Sequence, residues 1–170
     1  MDLQAFDAFP AHARIEADPG GFEFDSDIVV GVRKAALDLD IQNSGEEYYC
    51  QGSLQALVTL ECARCLAPFD AELSESTDFI VCSADAFATL GNGEDGESYV
   101  LIEGSGMEAD LRSTAQQALV VALPMKPLCS PDCRGICPQC GVNRNRTSCE
   151  CSTERADPRW DGLQQLFGNN

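Results

Sequence analysis

The 170-residue sequence has no long apolar run, and this absence limits where the chain resides. No stretch approaches the roughly 18 consecutive apolar residues of a membrane-spanning helix, so we expect no membrane segment. The first residues, Met1 to Asp7, have neither a basic flank nor an apolar stretch, which argues against a secretory signal or a transit peptide. We therefore expect a cytoplasmic protein, whose cysteines stay reduced.

Histidine is nearly absent, and so are the motifs of several enzyme classes. The single histidine, His12, lies near the N-terminus, and there is no nucleophile elbow, Walker motif or dinucleotide fingerprint. The glycine-rich stretch 91–97 has no lysine and contains acidic residues that would repel a phosphate, so we interpret it as a loop. These absences predict a protein that is not an enzyme and has no small-molecule substrate.

Basic residues are scarce and unevenly distributed. The chain has 28 acidic and 11 basic residues, for a net charge of -17. Residues 1–125 hold 23 acids and 5 bases, or -18, whereas residues 126–170 hold 5 acids and 6 bases, or +1. We expect two units, an acidic body over 1–125 and a cysteine-rich tail over 126–170 packed on it. The body should repel phosphate backbones and attract basic proteins, so only the tail offers a basic face.

Alternation of apolar and polar residues predicts that the body is built on an antiparallel β-sheet. For example, residues 35–41 alternate apolar with acidic side chains, and residues 43–46 form a hairpin-type turn. In the stretch 48–60, Leu54, Ala56, Val58 and Leu60 fall on one face. The predicted strands cover residues 22–25, 28–32, 35–41, 48–60, 69–81 and 98–102.

The hydrophobic period changes after the last predicted strand. From Asp110, apolar residues recur at helical spacing, with Asp110 available as the N-cap and Pro124 ending the element. This helix is expected to cover one face of the sheet. The predicted fold is therefore α+β, an antiparallel β-sheet meander with one covering helix and a zinc-stapled C-terminal tail. A short last helix is expected after Asp157 and Pro158, with Trp160 as a packing anchor.

The cysteines carry the strongest chemical signal. The turn Cys137-Pro-Gln-Cys140-Gly141 suits zinc, because two intervening residues let both sulfurs face one ion and the glycine can adopt a positive φ. A second pair, Cys62 and Cys65, lies where two predicted strands need a connection. Its signal is weaker because Leu66 replaces the glycine. Cys50 and Cys82 lie in predicted strands and are interpreted as small buried hydrophobic residues.

Structural zinc sites have four ligands, so eight paired thiols suffice for two ions. The most compact arrangement groups Cys137 and Cys140 with Cys149 and Cys151, and the other four with one another. One of the last two cysteines could instead be a spare, and an iron–sulfur cluster or a thiol redox pair uses the same residue types. The predicted zinc ligands are Cys62, Cys65, Cys129, Cys133, Cys137, Cys140, Cys149 and Cys151.

Six arginines lie close in sequence to these cysteines. They either bind phosphate, which guanidinium groups grip in a forked geometry, or neutralise the charge of zinc–thiolate sites. Arg64 lies within the first cysteine pair. The candidate nucleic-acid or partner contacts are in the tail, at Arg134, Arg144, Arg146, Arg155 and Arg159.

Four motifs together resemble the YceD family of large ribosomal RNA subunit accumulation proteins. They are Leu60 to Phe69, Leu123 to Cys129, Cys133 to Gly141 with Asn143 and Asn145, and Asp157 to Leu163. The resemblance implies a non-enzymatic factor needed for normal levels or processing of large-subunit ribosomal RNA. Its partner would be a ribosomal RNA precursor or a basic ribosome-assembly protein. The alternative function is a zinc–thiolate redox or stress sensor.

Overall fold

The computed structural model describes residues 1–24, 27–90, 99–103 and 106–151. Its strands are β1 (Ala11–Ala17), β2 (Val29–Asn43), β3 (Glu47–Glu61), β4 (Pro68–Cys82), β5 (Tyr99–Glu103) and β6 (Glu108–Ala109). Two α-helices, α1 (Ala84–Leu90) and α2 (Arg112–Ala122), and two short 3-10 turns, Leu3–Ala5 and Pro19–Gly21, complete the described elements. All six strands form one sheet in chain order.

The three long strands β2, β3 and β4 are joined by hairpins and form the middle of the sheet. Their alternating sequence determines which face is buried. Leu37, Leu39 and Ile41 of β2 are buried on the same face as Leu54 and the other predicted residues of β3. Gly45, in the turn between β2 and β3, adopts a φ of +83°. The predicted hairpin and its inward-facing residues are therefore confirmed.

The sheet departs from a pure meander at β5. This strand pairs with β4 in parallel, because the chain passes through α1 between them and returns in the same direction. Antiparallel pairing resumes between β5 and β6. The predicted strand exists, but the sheet is mostly rather than wholly antiparallel.

Helix α2 covers the apolar face of the sheet, as predicted. Ala115, Ala118 and Leu119 are buried and join the core, and the helix lies against β3 and β4. The helix starts two residues after Asp110, whose carboxylate accepts a hydrogen bond from the Arg112 backbone N–H at 3.0 Å. Leu111 occupies the N-cap position itself, so the predicted cap lies one residue too early.

One predicted strand is wrong. Residues 22–24 form no strand, because their backbone pairs with a helix side chain instead. The Glu23 backbone N–H donates to the Gln116 side chain at 3.2 Å, and the Gln116 amide donates to the Glu23 carbonyl. The predicted loop 91–97 and the predicted last helix lie outside the described residues. Within the described ranges, no helix combines the length and apolarity that crossing a bilayer requires.

The described part of the tail, residues 126–151, contains neither a helix nor a strand. Its backbone runs through turns, with one isolated bridge between Ile136 and Asn143. Its buried residues are few, namely Pro127, Cys133, Gly135 and Cys137. A stretch with so small an apolar core needs another source of order.

Candidate metal centre

Two cysteine turns in different parts of the chain have the same backbone geometry. Residues 62–67 connect β3 to β4, and there the Leu66 N–H donates to the Cys62 carbonyl at 2.9 Å. In the tail, the Gly141 N–H donates to the Cys137 carbonyl at 2.8 Å. Leu66 adopts a φ of +57° and Gly141 one of +72°. The replacement of glycine by leucine therefore does not prevent the first turn from forming.

The first turn meets the start of the tail to form what we call the inner cluster, which consists of Cys62, Cys65, Cys129 and Cys133. Its four sulfur atoms lie within 4.8 Å of one another. The Cys62 and Cys133 sulfurs are 3.7 Å apart, and those of Cys65 and Cys129 are 3.6 Å apart. Four sulfurs at about 2.3 Å from one tetrahedral zinc ion would be about 3.8 Å apart. The observed spacing fits such an ion and is too long for a disulfide bond.

The second turn closes what we call the outer cluster, which consists of Cys137, Cys140, Cys149 and Cys151. These four sulfurs also lie within 4.8 Å of one another, so both Cys149 and Cys151 belong to the group. An iron–sulfur cluster would hold its cysteine sulfurs farther apart, since several irons and sulfides lie between them. The geometry of both clusters therefore suits a single ion better.

Backbone hydrogen bonds attach the tail to the hairpin at the inner cluster. The Ala63 N–H donates to the Pro127 carbonyl at 2.9 Å, and the Ile136 N–H donates to the Arg64 carbonyl at 3.0 Å. The Arg64 guanidinium donates to the Cys133 carbonyl, also at 2.9 Å. Arg64 thus connects the hairpin to the tail, whereas sequence analysis grouped it with possible phosphate ligands.

Asn145 supports the inner cluster from the loop that leads to the outer one. Its side-chain amide donates to the Cys133 sulfur at 3.3 Å, and its side-chain oxygen accepts from the Arg134 backbone N–H at 2.7 Å. Polar groups that orient metal ligands in this way are important to metal affinity. Sequence reasoning included Asn145 only as part of a family motif, because a lone asparagine gives no signal of bonding to a distant sulfur.

Backbone donors favour the ionised form of one cysteine in each cluster. Burial of Cys62 opposes ionisation, yet the N–H groups of Cys129, Arg64 and Cys65 together lower its pKa to about 6. The N–H groups of Cys140 and Gln139 likewise lower the pKa of Cys137 to about 6. Thiolates are the form that binds metal, so these backbone donors prepare both turns as ligands.

Other members of the clusters are held in the neutral form by their neighbours. The Cys65 side chain raises the pKa of Cys129 to about 12, and the Cys140 side chain raises the pKa of Cys151 to about 12. Four thiolates at such short range repel one another, and a divalent cation relieves that repulsion. The donor set in both clusters fits zinc.

The two clusters differ in how far they are shielded from solvent. In the inner cluster Cys62, Cys65 and Cys133 are buried, and Cys129 is exposed. In the outer cluster only Cys137 is buried. Cys50 and Cys82 lie in neither cluster and are fully buried in β3 and β4. Their burial agrees with the prediction of small hydrophobic residues.

Three of the predicted arginines lie together beside the outer cluster, in a surface depression of about 290 Å³ that we call the arginine depression. Its lining residues are Arg134, Arg144, Asn145, Arg146, Thr147, Ser148 and Cys149. None of them is acidic, although the chain carries a net charge of -17. Arg155 and Arg159 lie outside the described residues.

Backbone hydrogen bonds fix the loop that carries these arginines. The Arg144 N–H donates to the Gly135 carbonyl at 2.9 Å, and the Arg146 N–H donates to the Asn143 carbonyl at 3.0 Å. The loop ends at Cys149, a member of the outer cluster. The positions of the arginines therefore depend on both cysteine clusters.

Two glycines in the tail allow a matched test of this geometry. Both have positive φ, but a Cβ on Gly135 would lie 2.9 Å from the Arg64 carbonyl oxygen, whereas the described residues leave open space at Gly141. We expect Gly141→Ala to cost about 1 kcal/mol from backbone strain. Gly135→Ala should cost about 1–3 kcal/mol more because of the clash. Urea unfolding of the metal-loaded variants measures the difference, and equal losses would contradict this packing.

A family model described as "Large ribosomal RNA subunit accumulation protein YceD" matches residues 50–167 of the chain. This range includes both cysteine turns and the loop that carries the arginines. No solved structure matches the chain.

Curated relatives are found in bacteria and plants. An uncharacterized protein of Mycobacterium tuberculosis is 32% identical over 132 residues, which cover 78% of this chain and 61% of the relative. An uncharacterized Mycobacterium leprae protein is 26% identical over 131 residues, or 77% of this chain and 58% of the relative. An Arabidopsis thaliana chloroplast protein, called large ribosomal RNA subunit accumulation protein YCED homolog 1, is 22% identical over 152 residues. That match covers 76% of this chain and 47% of the plant protein.

Proposed function

The chain belongs to the YceD family, and we propose that it acts in ribosome biogenesis as a non-catalytic factor that supports the accumulation of large-subunit ribosomal RNA. The names of the family and of its plant relative, both large ribosomal RNA subunit accumulation proteins, support this role. The chain spans about three fifths of the length of its mycobacterial relatives, 61% for that of M. tuberculosis. The cytoplasm is the proposed location, because reducing conditions there keep the thiols of both clusters available as metal ligands.

A non-catalytic role is supported by the ligand count of the two clusters. Each cluster offers four sulfurs to one ion. Structural zinc sites are closed by four protein ligands, whereas catalytic ones keep a position open for water or substrate. Zinc bound to these residues would order the tail, and we assign it no part in a reaction.

The arginine depression is the proposed contact with RNA. Phosphate oxygens are the groups that a cluster of guanidiniums recognises best, and phosphate contacts dominate the affinity of proteins for nucleic acids. Interspersed aromatic side chains, which stack on unpaired bases, are absent from the part of its lining that the structure describes. The depression is therefore suited to the RNA backbone rather than to individual bases.

Three of the four arginines of the body are paired with carboxylates, and the fourth, Arg64, donates to the Cys133 carbonyl. Arg14 lies 3.2 Å from Asp38, and Arg33 lies 3.1 Å from Asp70. Arg112 likewise forms an ion pair with Asp110. No described acidic residue forms an ion pair with Arg134, Arg144 or Arg146. This contrast favours the tail as the site of phosphate contact, over a basic protein bound to the acidic body.

Reversing two charges in the depression tests this assignment. We expect the double variant Arg144→Glu and Arg146→Glu to lose RNA binding in solution and to lower large-subunit RNA levels in cells, with its zinc content unchanged. Because three arginines make few phosphate contacts, binding by the parent protein should be weak. The slope of log affinity against log salt for single-stranded RNA should be only about -2.

A matched control reverses two charges on the body. The variant Arg14→Glu and Arg33→Glu changes the net charge by the same -4, from -17 to -21. It removes the ion pairs with Asp38 and Asp70 and the hydrogen bond from Arg33 to Thr59, and it places glutamates beside those carboxylates. These groups lie at the surface, where such changes cost little stability. We expect this variant to retain most RNA binding. If both double variants lost binding equally, general charge rather than the depression would be responsible. Normal RNA levels with the depression variant would favour a protein partner.

A further inference from the structure

The difference in shielding between the two clusters has a chemical consequence. Three of the four sulfurs in the inner cluster are on buried residues, whose exposed fractions are 0% for Cys62, 3% for Cys133 and 6% for Cys65. In the outer cluster Cys140 is exposed, and Cys149 and Cys151 are partly exposed. An oxidant or a competing chelator reaches sulfur only through solvent, so three cysteines of the outer cluster are accessible, against one, Cys129, in the inner cluster.

The two clusters also differ in what must move before a ligand can leave. The inner cluster joins segments far apart in sequence, since 71 positions separate Cys62 from Cys133. Its opening would separate the tail from the hairpin and break the bonds from Ala63 to Pro127 and from Ile136 to Arg64. The outer cluster is closed within residues 137–151, so a local movement of the loop would be enough to open it.

The outer cluster is physically continuous with the arginine depression. Cys149 is a ligand candidate of that cluster and also lines the depression. Arg146, Thr147 and Ser148 directly precede it in the chain and line the same depression. Removal of the ion would free Cys149 and with it the end of the arginine loop.

We propose that the outer cluster is a site of metal exchange and thiol oxidation, and that loss of its ion disassembles the arginine depression. The inner cluster keeps its ion and holds the tail on the sheet. The part that concerns RNA rests on the proposed function, whereas the order of metal loss does not. Oxidation would then reduce contact with RNA while the rest of the fold persists.

The oxidation step balances with a peroxide as the oxidant. Two thiolates of the outer cluster give up two electrons, and a sulfur–sulfur bond forms between them. The oxygen–oxygen bond of peroxide breaks, and the two oxygens take up protons from solvent to yield two water molecules. Zinc then leaves because only two thiolates remain.

The test is the time course of zinc release from the full-length protein treated with hydrogen peroxide and a chromophoric chelator. The inner cluster can open only if its extra hydrogen bonds break, and this cost slows its opening. We therefore expect the first zinc equivalent to leave at least about tenfold faster than the second. Alkylation and mass spectrometry after the first phase should find oxidised cysteines among Cys137, Cys140, Cys149 and Cys151. Cys140→Ser should remove the fast phase and leave the slow one.

RNA binding measured at the end of the fast phase tests whether loss of the outer ion disassembles the arginine depression. It should fall to the level of the variant with Arg144→Glu and Arg146→Glu, and reduction with added zinc should restore it. Release of both ions at one rate, or oxidation of Cys62 or Cys133 first, would overturn the proposed order. Unchanged RNA binding after the fast phase would overturn the coupling. If the untreated protein bound no RNA, the proposed function would fail while the order of release would still be decided.

Discussion

Removal of zinc is expected to unfold residues 126–151 while the sheet remains folded. In this stretch the buried residues are Pro127, Cys133, Gly135 and Cys137, which are too few to form a core, so metal binding has to replace it. Structural zinc contributes about 10–16 kcal/mol in small zinc-binding domains, which exceeds what a few hydrogen bonds supply. The body has its own core, formed by α2 on the sheet, so we expect it to stay folded without the ion.

Hydrogen exchange measured by mass spectrometry, with and without a strong chelator, resolves this difference. Peptides from residues 126–151 should lose their protection, and those from β2 and from β4 beyond the hairpin should keep it. Readdition of zinc is the control for reversibility. Full protection of the tail in the presence of chelator, with the zinc shown to be gone, would contradict a metal-ordered tail.

Loss of a hairpin cysteine is expected to have the same effect as loss of a tail cysteine in the same cluster. Cys65→Ser and Cys133→Ser each leave three sulfurs in the inner cluster. Each should therefore lower the zinc content from two to one. We expect affinity at that cluster to fall by more than the 10–100-fold typical of losing an outer-shell partner. Both variants should release the tail from the hairpin and become sensitive to proteolysis there.

Two further variants make this comparison specific. Cys140→Ser should also lower the zinc content to one, but it should loosen only residues 137–151, because the inner cluster stays intact. Cys82→Ala changes a buried cysteine outside both clusters, so its zinc content should stay at two. If only Cys133→Ser freed the tail, the hairpin thiols would not share an ion with it.

The parts of the fold that sequence predicts well are those with strong local patterns. In β2 and β3, leucine, isoleucine and valine alternate with polar residues over long stretches, and this period can only bury one face of a strand. The helical spacing of the apolar residues in α2 is an equally clear pattern. The cysteine turns are local too, because two residues between ligands leave few geometries for a shared ion.

The elements that sequence missed or misplaced depend on distant partners. Strand β1 contains three alanines, which favour strands weakly, and it is a strand because it pairs with β2. Helix α1 was not predicted, although Ser83 caps it by accepting a hydrogen bond from the Ala86 N–H. The alternation at Phe22 to Phe24 suggested a strand, but the Gln116 side chain forms hydrogen bonds with the Glu23 backbone there instead.

The candidate site shows the same division. Spacing predicts which cysteines can form turns. Whether the hairpin and the tail meet depends on packing between residues that are more than 60 positions apart in sequence. No local sequence pattern predicts that Arg64 donates to the Cys133 carbonyl or that Asn145 donates to the Cys133 sulfur. The depression depends on a loop path that only the folded tail defines.

The most direct test of two four-sulfur metal sites is zinc K-edge X-ray absorption combined with elemental analysis, on protein purified without added metal. The arrangement predicts two zinc ions per chain, each surrounded by four sulfurs at about 2.3 Å. One zinc per chain would mean that only one of the two clusters binds metal. Nitrogen or oxygen among the ligands, or iron with visible absorbance, would contradict the four-sulfur zinc sites altogether.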